Sequence, residues 1–225
     1  MKRHSKELKI TITAEKMMSK YRRWKERTST SPMGRVLSLY KMWLQVDDET
    51  AAKEGSMSGD NFFTMITDLI KVAQNVKLPL DRWKTVHNLF ILKEPNNYNI
   101  KRLRALHKID AELNLVRREI ITRRLLRQAE KEKFLDDNSY GGRNGRCAID
   151  AVMKKYFTLQ TMHLERRNGA LIDCDAKACY DRVIPLVLYL SYSKAGLPHA
   201  ACIWLCKSLT QMQYHITTAH GVSQL

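Results

Sequence analysis

Acidic residues are scarce in this sequence. Asp and Glu number 23 against 39 Lys and Arg, which leaves the 225 residues with a net charge of +16. Such an imbalance turns the molecule toward acidic partners, nucleic acid first. Cysteine is sparse too: five, an odd number, with no Cys-Xaa-Xaa-Cys pair. That pattern fits a reducing compartment better than a secreted disulfide framework. The charged start Met1-Lys2-Arg3-His4-Ser5-Lys6-Glu7 precedes no apolar run, and no uninterrupted apolar stretch approaches membrane-spanning length. The expectation is an intracellular protein, nuclear or cytoplasmic, that is neither secreted nor tied to a membrane. Internal repeats and low-complexity tracts are lacking as well. What is present is 44% hydrophobic and 28% charged residues, which excludes a largely disordered chain. At this length one sizeable core with an arm is expected.

Residues 1–34 read as a basic, polar lead-in. Val36, Leu37, Tyr40 and Leu44 then recur at helical spacing and predict a helix over 35–46. The acidic, small-residue stretch from Asp47 to Asp60 reads as a surface loop. Asp60 or Asn61 would cap a second helix carrying Phe62, Phe63, Ile66, Leu69, Ile70 and Val72. Val86 to Leu92 and Ile100 to Leu106, joined by Lys93-Glu94-Pro95-Asn96-Asn97, predict a hairpin with a basic tip. Ile109, Leu113, Val116 and Ile120 predict a long amphipathic helix whose other faces carry Arg117, Arg118, Arg123, Arg124 and Arg127. A glycine-rich turn, Tyr140 to Arg146, opens a helix through Ala151 and Tyr156. An apolar strand from Gly169 ends in acid at Asp175, helical runs cover 185–190 and 198–209, and a last strand covers 212–216.

Asp175-Ala176-Lys177-Ala178-Cys179-Tyr180-Asp181 is the most informative stretch. A carboxylate at the end of a buried strand can hold Mg²⁺ while surrounding loops admit phosphate. On spacing alone such a residue is more often a cap for the helix that follows. His199, Cys202 and Cys206 share one side of a predicted helix; with no fourth ligand they read as core packing rather than a zinc site.

Four segments in order resemble the reverse transcriptase domain of non-LTR-type retroelements, in a divergent, microalgal-like form. Trp24 to Arg35 is similar to the lead-in to that family's fingers, with Met33 where a small Ser is usual. Leu103 to Asn114 is similar to a fingers segment, with Ala105 in place of Pro. Ser139-Tyr140-Gly141-Gly142-Arg143-Asn144-Gly145-Arg146-Cys147-Ala148 resembles the turn that opens a template-side helix, and Asp175 to Asp181 resembles palm motif A. The resemblance implies an α+β fold, the fingers and partial palm of a right-hand polymerase, with helices packed on a small antiparallel sheet. It divides the chain into the lead-in at 1–34, a fingers-like region at 35–165 and a partial palm at 166–225.

The implied function is RNA-directed DNA polymerisation with Mg²⁺, deoxynucleoside triphosphates, an RNA template and a DNA primer. The resemblance makes Asp175 the catalytic metal ligand and Tyr180 the aromatic gate at the sugar 2′ position. It sets Arg104, with Lys93 behind it, against the incoming nucleotide, and Arg117, Arg124, Arg143 and Arg146 along nucleic-acid phosphates. Lys93 and Arg104 can also be generic phosphate contacts or solvated hairpin charges, the Gly141-Gly142 turn a plain helix start, and Arg117 to Arg127 a solvated face. The family's aromatic-Xaa-Asp-Asp hairpin has no counterpart downstream of Asp175: Asp-Asp pairs occur only at Asp47-Asp48 and Asp136-Asp137, both upstream and in polar loop contexts. The expectation is a fragment that binds nucleic acid and is inactive alone. A noncatalytic nucleic-acid-binding module and a degenerate retroelement remnant stand as alternatives.

Overall fold

The computed structural model describes residues 6–25, 32, 34, 37–170, 172, 182–218 and 220–223. The architecture is α+β: helices around a small four-stranded sheet. Residues 14–23, read from sequence as part of a polar lead-in, form helix α1 (Ala14–Arg23). Thr13 caps it by accepting the Lys16 amide at 3.3 Å. Met17 and Tyr21, four residues apart, fall on one face and are fully buried. Tyr21 stacks on Tyr40 of α2 (Leu37–Trp43), with ring centroids 4.6 Å apart and planes 3° from parallel.

The acidic segment is not a loop. Asp47 caps α3 (Asp48–Glu54) through the Thr50 amide at 2.7 Å, and Gly55 closes it in the left-handed conformation. An Asx cap followed by two acids in the first turn is a helix-start signal that the charge density obscured. Ser58, rather than Asp60 or Asn61, caps α4 (Gly59–Asn75). Phe63, Ile66, Ile70 and Ala73 are its buried stripe against α1. At Gly59 the backbone passes so close to α2 that an added Cβ would sit 2.0 Å from the Trp43 carbonyl oxygen, while its N–H donates to the Val46 carbonyl at 2.8 Å. Gly59→Ala is therefore expected to lower stability by about 1–3 kcal/mol in urea unfolding. An unchanged midpoint would show that α2 and α4 can separate at no cost.

Strand β1 (Thr85–Leu92) follows a short 3₁₀ turn, Asp81–Trp83, and pairs antiparallel with β2 (Leu103–Lys108). That is the expected hairpin, with its second strand beginning at Leu103 because Ile100–Arg102 form a 3₁₀ turn. The expected long helix is present as three consecutive stretches: α5 (Ala111–Arg117), a π-helical segment (Arg118–Leu125) and α6 (Leu126–Lys131). It begins two residues later than the apolar spacing suggests because Asp110 caps it through the Glu112 amide at 2.9 Å. Next come α7 (Ala148–Leu164), α8 (Pro185–Lys194), α9 (His199–Thr210), β3 (Gln213–Thr218) and β4 (Gly221–Val222). Cys147 and Asp150 form a capping box at the start of α7, and that helix buries none of its residues.

The sheet order is β2-β1-β3-β4, and β3 runs parallel to β1, so the expected antiparallel sheet is mixed. The direction follows from packing. Trp204 of α9 meets Trp83, just ahead of β1, edge to face at 6.0 Å. Both strands then leave from the same layer: the Gln213 amide donates to the Lys84 carbonyl at 2.7 Å. One core joins Ile12, Met17, Tyr40, Phe63, Trp83, Leu113, Ile120, Leu197, Trp204 and Leu205. It draws on residues from all three stretches, 1–34, 35–165 and 166–225.

Glu112, 1% exposed, sits in this core as a carboxylate hub. It accepts the Tyr40 hydroxyl at 2.8 Å, the Arg82 Nε at 3.1 Å and the Trp83 indole N–H at 3.2 Å, and Arg82 Nη2 completes a two-pronged ion pair. Beside it, Tyr21 keeps a buried hydroxyl with no hydrogen-bond partner among the described residues. Burial, with the nearby Tyr40, Glu112 and Asp110, pushes that hydroxyl well above the usual tyrosine range. The folded state therefore keeps a proton that the unfolded chain releases near pH 10, so stability is full below that pH and is lost above it. The expected slope is about 1.4 kcal/mol per pH unit. Tyr21→Phe should remove this contribution and leave stability at neutral pH unchanged or higher. A Phe variant with the same alkaline slope would place the titration elsewhere.

Candidate nucleic-acid interface

The β1–β2 hairpin presents the clearest cationic surface. Register sets Arg104 opposite Ile91 and Lys108 opposite His87, and alternation puts both cations on one face of the sheet. Arg104 is exposed, as is Lys93, the first residue after β1, whose amide donates to the Arg102 carbonyl at 3.2 Å. Neither side chain makes an ion pair among the described residues. Tyr98 and Ile100 are 76% and 71% exposed in the connecting loop. Arg102 instead pairs with Glu94 at 3.4 Å. His215 of β3 lies opposite His87 on the same face. Partial burial, the neighbouring His215 and Lys108 hold His87 below the ordinary histidine range, which keeps it uncharged near neutral pH. Two cations on a hairpin whose connecting loop exposes a flat and an apolar side chain form a surface that can meet a phosphate backbone and its bases.

The other arginines singled out from sequence are placed differently. Arg124 ties down the segment ahead of α1: its guanidinium donates to the Lys9 carbonyl at 2.7 Å and the Thr11 carbonyl at 2.9 Å, 3.6 Å from Glu119. Arg143 donates to both carboxylate oxygens of Glu130, at 2.5 and 2.7 Å, and to the Asp136 and Ser139 carbonyls at 2.6 and 2.9 Å. Four of its five N–H groups are thereby used inside the turn. That hydrogen-bonded pair lowers the Glu130 pKa and raises that of Arg143. Arg146 binds Asp137 at 3.1 Å and lies over the Tyr140 ring. Arg117 is half-buried, and desolvation pulls its pKa down, with Tyr192 and Tyr214 nearby. All four cations thus face inward or sideways. On the same helical stretch Arg118 and Arg127 are exposed and unpaired among the described residues, as is Arg23 on α1. Sequence reasoning missed the α1 cations because residues 14–23 were not read as a helix. The signal was there: Met17, Tyr21 and Trp24 recur at i, i+4 and i+7 behind a Thr cap.

Asp173, Asp175, Tyr180 and Asp181 lie outside the described residues, as does most of the expected strand at 169–175; Gly169, Ala170 and Ile172 belong to no strand. Among the described residues no group of three His, Cys, Asp or Glu side chains converges for a metal ion. His199 shares a 2.7 Å hydrogen bond with the Tyr189 hydroxyl, while Cys202 and Cys206 direct their thiols to the Leu197 and Pro185 carbonyls at 3.5 and 3.4 Å. Burial pushes the Cys202 thiol up to about 12, the behaviour of a packed hydrophobe rather than a reactive thiolate.

The chain matches no protein-family model and no curated protein. No helix among the described residues is long and apolar enough to cross a membrane.

Proposed function

We propose that this chain binds a nucleic-acid strand through the cationic β1–β2 hairpin, as a fragment of a retroelement reverse transcriptase that does not polymerise alone. The observation that carries the binding is the pair of exposed cations Lys93 and Arg104, without ion pairs among the described residues, on a hairpin whose connecting loop exposes Tyr98 and Ile100. The net charge of +16 supports it, since phosphate neutralisation supplies most non-specific affinity for nucleic acid. The reverse transcriptase assignment rests on the order of the four resembling segments. In that reading Asp175 holds Mg²⁺, Tyr180 gates the sugar, and Arg104 and Lys93 meet the triphosphate. The aromatic-Xaa-Asp-Asp segment in these 225 residues, Phe134-Leu135-Asp136-Asp137, precedes Asp175, whereas the resemblance requires one that follows it, so no such segment stands where the second carboxylate of a two-metal site would be.

Fluorescence anisotropy with labelled RNA over a range of salt concentrations tests the binding. Lys93→Gln/Arg104→Gln is expected to weaken RNA about tenfold and to reduce the log–log salt slope by about 1. Wild-type affinity in that variant would remove the hairpin from the interface. EDTA separates the two classes of reading: binding that is indifferent to Mg²⁺, and to Asp175→Asn, favours the noncatalytic module. Primer extension in Mg²⁺ that Asp175→Ala abolishes would establish a polymerase.

A further inference from the structure

A cavity of about 150 Å³ lies between the end of α1 and the π-helical segment, walled by Trp24 and Leu115. Lys20, Arg23, Arg118 and Arg123 surround it, against the single carboxylate of Glu119. Glu119 is 3% exposed and already compensated: Lys16 lies 2.7 Å from it, Arg124 3.6 Å and Arg123 3.7 Å. The positive charge of Lys20, Arg23 and Arg118 has no counter-ion among the described residues. The π-helical segment is what assembles this group. In an α-helix residues five apart point to different faces, but a segment closed by i to i+5 hydrogen bonds turns Arg118 and Arg123 toward one side.

We propose that this cavity takes one backbone phosphate of a single-stranded nucleic acid, with the adjacent unpaired base against Trp24. The proposal rests on the nucleic-acid reading above and adds a second contact and a strand-type preference to it. Excess cation selects an anion, and guanidinium groups match phosphate oxygens in pairs. An indole wall selects a planar neighbour to that anion, since bases stack on aromatic side chains whatever their identity. Size decides between a free nucleotide and a strand. The cavity is well below the roughly 300 Å³ at which pockets enclose small ligands, so it seats one part of a longer chain. A base held in a duplex stack cannot reach into it, which is the origin of the strand preference.

The test uses the whole chain, a labelled single-stranded RNA of about 12 nucleotides, a length within one binding-site size, and the matching duplex. Arg23→Gln/Arg118→Gln is expected to weaken the single strand about tenfold and lower its salt slope by about 1, with the duplex changed less than about threefold. Trp24→Leu, which keeps an apolar side chain beside Tyr21 but removes the ring, is expected to weaken the single strand by about five- to a hundredfold at an unchanged slope. Far-UV circular dichroism checks that each variant folds, and the arginine pair decides alone if Trp24→Leu does not. RNA binding that persists at wild-type strength in the variants overturns the cavity and leaves the hairpin reading intact. Equal losses on strand and duplex overturn the strand preference. Displacement of the RNA from wild-type protein by micromolar AMP makes the cavity a mononucleotide site instead. A wild-type protein that binds no RNA sinks both readings together.

Discussion

Glu112→Ala is expected to destabilise the protein by about 3–5 kcal/mol, the usual result of removing one partner from a buried ion pair. Three groups depend on that carboxylate: the Arg82 guanidinium, the Tyr40 hydroxyl and the Trp83 indole N–H. Alanine removes the carboxylate that the Arg82 charge, the Tyr40 hydroxyl and the Trp83 N–H share in a site that is 1% exposed. Each loses more than the bond itself, because water does not replace the missing oxygen. With total stabilities of about 5–15 kcal/mol for domains of this kind, the variant should be partly unfolded at 37 °C. Glu112→Gln keeps an acceptor oxygen and should lose less. Equilibrium urea unfolding of the two variants decides the matter: if alanine and glutamine are equally mild, the carboxylate is incidental to the core. The same residue belongs to the segment that resembles reverse transcriptase fingers, yet the Tyr40, Arg82 and Trp83 contacts it makes among the described residues are internal and structural.

Trp204→Ala should cost a similar amount, about 3–5 kcal/mol, through the cavity left by a fully buried indole. The effect should not stay local. Trp204 meets Trp83 edge to face, and that contact brings α9 to the layer from which β1 departs and β3 begins. Loss of the indole should therefore loosen the parallel β1–β3 pairing as well as α9. Hydrogen exchange reads this directly: the amides of Asn88 and His215, which alternation from the Gln213–Lys84 bond turns toward the partner strand, should lose protection along with those of α9. Loss confined to α9 would mean that the sheet holds its parallel register by ladder bonds alone. Trp204→Phe should be milder, because the indole N–H has no partner among the described residues and its removal leaves no bond broken.

Local periodic features were legible and long-range ones were not. The hairpin was readable because β-branched and apolar residues at 86–92 and 103–106 flank a turn rich in Pro and Asn. Helices α4, α8 and α9 were readable from their apolar runs. Helix α3 was overlooked because its acids suggested solvent, although acids in a first turn favour a helix. Among the site residues, Lys93 and Arg104 are exposed where alternation on a hairpin predicts. Arg124 and Arg143 are not free, since the carbonyls and carboxylates that hold them belong to distant or irregular backbone that no periodicity reveals. Asp175 and Tyr180 lie outside the described residues, and their roles stand on resemblance.

The amino-acid sequence by itself determined that the chain is basic, builds a core and mixes helices with a hairpin, because composition and hydrophobic period are properties of neighbours along the chain. Only the tertiary structure decided which cations are spent inside the fold and which remain for a partner, and that β3 runs parallel to β1. Those outcomes depend on groups brought together from far apart: Arg124 reaches back to Lys9 and Thr11, and Trp204 returns to Trp83. An arginine reads the same in sequence whether a carbonyl or a phosphate awaits it; burial and geometry make the difference.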